Sequence, residues 1–144
     1  MSKNETVPQI NDVSRISIGT HVKGILVSKS DIRIDGVFDG DIVTSGKLVL
    51  GEESVVTGRI FCSSADIWGK VSGQIVTQDL ITLRSNSSFK GEMKVSRIGI
   101  EVGAVFSGNC DIISEKMFND IWKNLQMNDF KDISFANLPE SPHN

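Results

Sequence analysis

The chain is poor in the residues that build helices. It has seven leucines, three alanines and no tyrosine in 144 residues, against 31 isoleucines and valines. Alanine and leucine favour helix, whereas β-branched side chains suit a pleated, half-buried surface. The balance argues against a helical bundle. Cysteine is scarce, and Cys62 with Cys110 are too few for a disulfide framework. Histidine is limited to His21 and His143, so a three-histidine metal centre cannot be built within one chain. No stretch is long and apolar enough to span a bilayer, and no N-terminal run reads as a signal peptide. The expected compartment is the cytoplasm, with the inner face of the cell membrane as a possible address.

Proline is absent from the middle of the chain. All three prolines lie outside Gly19–Gly108, and all 13 glycines lie inside it. A proline-free, glycine-punctuated stretch is what hydrogen-bonded strands require. Three regions are expected: a disordered N-terminal tail over 1–14, a body over 15–113, and a C-terminal tail over 114–144. Net charge is −3, yet the body carries eleven basic and eleven acidic residues. A neutral body lacks the basic stripe of a nucleic-acid binder. It also lacks the self-repulsion that keeps proteins apart.

What is there is a repeat. Gly24, Gly40, Gly58, Gly73, Gly91 and Gly108 recur at 15 to 18 residues. Two positions before them stand Val22, Phe38, Val56, Val71, Phe89 and Phe106; two positions after stand Leu26, Ile42, Ile60, Ile75, Met93 and Cys110. A polar or charged residue immediately precedes every marker glycine, giving the period-two alternation of half-buried strands. A second apolar pair lies upstream, read as Ile16/Ile18, Ile32/Ile34, Leu48/Leu50, Ala65/Ile67, Ile81/Leu83 and Ile98/Ile100. Three units carry two extra residues after it (51–55, 84–88 and 101–105), the mark of a corner loop.

Units this short have no room for a crossover helix. They fit one coil of a parallel β-solenoid with three short strands around a triangular section, stacked about 4.8 Å apart. Six coils then form a rod of roughly 28 Å, whose continuous core exists only because the coils stack. The marker glycines are expected to point inward as a column where the interior is too narrow for a side chain; turn glycines are the alternative.

The segments ISIGTHVKG, IRIDGVFDGDI, SVVTGRI, GKVSGQI and SSFKGEM resemble the bactofilins, bacterial polymer-forming cytoskeletal proteins. The resemblance covers about residues 15–113 in several degenerate tandem repeats. It implies an all-β, right-handed parallel β-helix with mobile tails. It also implies nucleotide-independent, end-to-end polymerisation into non-polar filaments that scaffold cell shape or cell-wall synthesis. The implied partners are further copies of the chain, and cell-wall enzymes or membrane-associated proteins. The N-terminal MSKNETVPQI departs from the membrane-targeting segment that many members carry.

A solenoid ends in two faces of unpaired backbone and exposed core side chains, which soluble solenoids cover with caps. Ile16, Ile18 and Val22 are expected at one assembling end; Ile98, Ile100 and Phe106 at the other. The C-terminal tail complicates this picture. Met117, Phe118, Ile121, Trp122 and Leu125 follow a helical stripe, predicting an amphipathic helix over about 115–128 with Ser114 as N-cap. That helix is read as packing on the terminal coil or its flank, or as engaging a partner; as an end cap it would oppose stacking. The tail is net acidic, whereas interfacial helices carry a basic face, so direct membrane binding is the weaker reading.

No phosphate-binding loop of the GxxxxGK[ST] or GxGxxG type is present. No metal or organic cofactor is expected, and no catalytic residue is assigned. The acidic pairs Asp39/Asp41 and Glu52/Glu53 read as solvated outward positions, and Trp68 as an exposed aromatic. The rival functions are a small solenoid enzyme of the hexapeptide-transferase type and a monomeric binding module whose helix caps the rod.

Overall fold

A computed structural model describes residues 12–126. Its elements in chain order are β1 (Val13–Ile16), β2 (His21–Ser28), β3 (Asp31–Ile34), β4 (Val37–Thr44), β5 (Lys47–Leu50), β6 (Val55–Cys62), β7 (Ser64–Ile67), β8 (Lys70–Thr77), β9 (Leu80–Leu83), β10 (Ser88–Val95), β11 (Arg97–Ile100), β12 (Val105–Ile112) and α1 (Glu115–Asn124). Short and long strands alternate. The odd-numbered four-residue strands form one six-stranded sheet, and the even-numbered eight-residue strands form another. Every pairing is parallel, joining each coil to the next. The molecule is a six-coil parallel β-solenoid with one short C-terminal helix.

The marker glycines fall in one register, Gly24 to Gly40 to Gly58 to Gly73 to Gly91 to Gly108. All six have φ between +135° and +140°, a region L-residues avoid. Each long strand bends there, so one sheet supplies two sides of the triangle. The column forms as expected, for a different reason than a narrow interior. A Cβ on Gly40, Gly58, Gly73, Gly91 or Gly108 would overlap the carbonyl oxygen of the preceding marker glycine, in the adjacent coil. The obstruction lies along the rod axis, and the residues are corner glycines as well as stacked ones.

Alternation puts one row of side chains inside. Ile32, Ile34, Phe38, Ile42, Leu48, Leu50, Ile60 and Ile67 are each at most 1% exposed. The core continues through Ile75, Ile81, Leu83, Phe89 and Met93. Thr44 and Thr77 extend the row at the third corner, each donating its hydroxyl proton to a backbone carbonyl, of Ser30 and Asp79 respectively.

The first coil differs from the expectation. Ile16, not Ile18, aligns with Ile34, and Ser14 aligns with Ile32. Sequence alternation places the apolar pair two residues too late because Ile18 continues the pattern past the strand. Coil one carries the same extended corner as three later coils: the Thr20 N–H donates to the Ser17 carbonyl, as Ser54 does to Gly51, Ser87 to Arg84 and Ala104 to Glu101. Four corners, rather than three, hold the longer turn. Strand β1 begins at Val13, inside the expected tail 1–14; the remainder of that tail to residue 11 lies outside the described residues, as does the expected helix end near 128.

Helix α1 starts where the sequence places it. The Ser114 hydroxyl accepts from the Met117 N–H, and Glu115 sits in the first turn, where the helix dipole favours an acid. Phe118, Trp122 and Leu125 are buried against Val43, Phe61 and Val76. The helix therefore lies along the flank of the rod and does not cross either end.

Candidate assembly interface

Among the described residues, both ends of the rod are open. Strands β1 and β2 pair only with coil two, and β11 and β12 only with coil five. The outer edge of each terminal coil thus presents backbone groups with no partner strand, the arrangement that invites further pairing.

Exposed apolar side chains concentrate at the same places. At the C-terminal end Ile100 is 53% exposed, Val102 95% and Ile112 64%, while Ile98 and Phe106 are half-buried against the core. At the N-terminal end Ile16, Val22 and Leu26 are half-buried, and Ile18 is 70% exposed. Inward residues of coils two to five are almost fully buried. What opens the terminal side chains to solvent is the lack of a next coil among the described residues.

The six residues expected at the ends fall into two classes. Ile16, Val22, Ile98, Ile100 and Phe106 belong to inward columns and are cut off by the rod's termination. Ile18 instead occupies the extended corner, in the slot that Val102 holds in the last coil. Sequence reasoning left out Leu26 and Cys110, whose inward columns also end at an open face. The signal was available, since every inward position of a terminal coil qualifies.

Cys110 is exposed and Cys62 buried. Burial pushes the Cys62 thiol far above its ordinary range, and partial burial beside Asp111 raises Cys110. Both thiols stand at inward positions after a marker glycine, and Cys110 meets solvent because nothing among the described residues covers the last coil.

Other polar side chains form ladders between coils. Arg59 reaches Asp41 through two nitrogens at 3.0 and 2.8 Å. Arg84 bridges Asp66 and Glu101 and lies over the Trp68 ring at 5.2 Å. His21 pairs with Asp39 at 2.6 Å, and Glu52 and Glu53 are exposed in a turn. Among the described residues no three His, Cys, Asp or Glu converge as metal ligands, and no helix is long and apolar enough to cross a membrane.

The family model described as "Bactofilin: Polymer-forming cytoskeletal" matches residues 14–111. The chain belongs to the bactofilin family. It is 32% identical over 91 residues to bactofilin BacO of Myxococcus xanthus, covering 63% of this chain and 72% of BacO. It is 25% identical over 91 residues to BacP of the same organism, covering 63% of this chain but 38% of BacP. Among solved structures, the chain is similar to Thermus thermophilus bactofilin in double helical filaments, with a TM-score of 0.67 and 29% identity over 69% of this chain and 99% of that one. It is also similar to the cytoskeletal bactofilin BacA determined by solid-state NMR, with a TM-score of 0.64 and 26% identity over 71% and 97%. The two solved bactofilins have the coil architecture seen in this chain, and the Thermus protein is described as forming double helical filaments.

Proposed function

We propose that this bactofilin polymerises end to end, without nucleotide, through the inward columns that its two terminal coils leave open. The observation that supports the reading is that, among the described residues, nothing caps the rod: apolar core side chains meet solvent at both ends while α1 lies on the flank. Stacking a second rod would extend the parallel or antiparallel ladder and bury Ile16, Val22 and Leu26, or Ile98, Ile100 and Phe106. Burial of that surface favours association by roughly 25 cal/mol per Å² of apolar area. Nothing in such a junction calls for a phosphate-binding loop, which is the support for nucleotide independence.

The filament then serves as a cytoplasmic scaffold for cell-shape or cell-wall machinery, non-catalytic in itself. Further partners would be recognised by surfaces outside the junctions. A monomeric capped module fits less well, because α1 leaves the ends uncovered. A transferase fits less well, because the acidic residues are spread over outward ladders and turns.

Negative-stain microscopy of the purified chain without nucleotide tests the reading, beside Ile100→Arg checked for folding by circular dichroism. Filaments from the parent and short folded rods from the variant are expected. A parent that stays monomeric across salt and pH sinks the proposal.

A further inference from the structure

The corner that follows the short strands carries a surface of its own. Asp35, Gly51, Trp68, Arg84 and Glu101 hold one outward slot in coils two to six. Each donates its N–H to the carbonyl of the last short-strand residue of the preceding coil, at 2.8 or 2.9 Å. Four of the five bring a charged or aromatic side chain; Gly51 brings none. A side chain there has no room, because a Cβ on Gly51 would overlap the Asp35 carboxylate. Arg33 donates to that carboxylate from Nε and Nη2 at 2.9 and 3.0 Å.

The missing side chain leaves a depression of about 420 Å³, walled by Gly51, Glu52, Glu53, Trp68 and the Arg33–Asp35 pair, with Ile18 at its rim. Arg33 offsets Asp35. Glu52 and Glu53 are exposed and make no hydrogen bond or ion pair among the described residues. Uncompensated negative charge therefore stands beside the indole. Trp68 already holds one guanidinium: Arg84, from coil five, lies over its ring at 5.2 Å. Asp66 and Glu101 balance that charge at 2.9 and 3.0 Å. The depression lies toward coils two and three, on the side of the indole away from Arg84.

We propose that this depression receives an arginine side chain from a basic segment of a partner protein. Its guanidinium stacks on the free side of Trp68 and pairs with Glu52 and Glu53, as Arg84 does with its own carboxylates on the other side. Exposed Ile18 offers apolar surface to the methylene stem. Arginine suits the site better than lysine, because a planar fork stacks on a ring and donates to carboxylates at once. A quaternary ammonium is recognised by a cage of several rings, and a single indole stands here. An anion meets charge of its own sign. The inference does not rest on end-to-end assembly.

The probe is a short blocked peptide in which arginine alternates with glycine, beside its lysine and citrulline counterparts. In the full chain with Trp122→Phe, Trp68 is the sole tryptophan and its emission reads the depression. A saturable change is expected with arginine, a weaker one with lysine and none with neutral citrulline. High salt should reduce it, since exposed pairs are screened. Glu52→Gln with Glu53→Gln alters only exposed turn side chains and should remove the saturable response. Trp68→Leu, followed by calorimetry, should weaken binding about two- to fivefold, the worth of one exposed cation–π contact. If Trp122→Phe does not fold, the parent chain serves, with Trp68→Phe giving the Trp122 background. No saturable response overturns the proposal. So does citrulline or lysine matching arginine, or binding indifferent to the paired glutamine variant. A Trp68 signal that follows the chain's own concentration and excludes the peptide gives the depression to a second copy, and also overturns it. Failure to form filaments sinks the assembly reading and leaves these readouts in force.

Discussion

Phe106 lies flat against Phe89, with ring centroids 5.7 Å apart and planes 6° from parallel. The two hold the same slot in successive coils, so the last ring of the stack has a core residue on one side and the open end of the rod on the other. Its inner face stabilises the chain, and in the proposed end-to-end assembly its outer face would meet the next copy.

Phe106→Arg is therefore expected to abolish filaments while the remaining coils stay folded. Phe106→Ala should destabilise the chain by roughly 1–3 kcal/mol, less than the 3–5 kcal/mol typical of a fully buried phenylalanine. Thermal melts and sedimentation read the two effects separately. Unchanged filaments from Phe106→Arg would remove this residue from the junction.

The marker glycines permit a comparison along one column. Gly73→Ala sets a methyl group into the Gly58 carbonyl and forces a positive φ on alanine, a strain of about 1–3 kcal/mol before the overlap is relieved. Gly24→Ala meets nothing within 4 Å and bears only the strain. The expected order of melting temperatures is parent, then Gly24→Ala, then Gly73→Ala well below. Equal losses at the two sites would mean that the carbonyl contact has no energetic consequence.

Acid should loosen the last corner. The Ser85 N–H and then the Arg84 guanidinium donate to the Glu101 carboxylate, at 2.9 and 3.0 Å, and hold it below the ordinary glutamate range. A carboxyl depressed in the folded state contributes stability that is present above its unfolded pKa and is lost as pH falls through its folded value. The melting temperature should drop with acid over that window. Glu101→Gln should lie slightly below the parent at neutral pH and converge with it once Glu101 is protonated. Curves that remain parallel to the lowest pH would assign the acid sensitivity to other groups.

The two thiols report on burial at one end. In short rods a maleimide should modify Cys110 and leave Cys62 untouched until the chain unfolds, because the reactive species is the thiolate and burial suppresses it at Cys62. Filament formation should protect Cys110 if the C-terminal face is a junction. Full labelling of Cys110 inside intact filaments would place the junction elsewhere.

Much of the coil is legible in the order of its residues. The alternation around Gly40, Gly58, Gly73 and Gly91 assigns inside and outside correctly, because the two-residue side-chain period is a local property of an extended backbone. Ile18 shows the limit of that rule. An apolar residue in a turn can continue a strand's alternation by coincidence, and only pairing with the next coil reveals that Ile16 aligns with Ile34. Leu26 and Cys110 are recognisable as inward, but their accessibility depends on a neighbouring coil that the described residues do not supply.

What the sequence determined by itself was the coil: its length, its three faces, its inward row and its sixfold repetition, all set by contacts between residues near in sequence or one repeat apart. Tertiary structure alone decided three matters. It showed that the corner glycines are obstructed by the carbonyls of the adjacent coil, that coil one has an extended turn, and that α1 lies along Val43, Phe61 and Val76 rather than across an end. Each depends on where distant backbone comes to rest. A helix's apolar stripe states that it must be covered, while the surface that covers it is chosen by geometry accumulated over the whole rod.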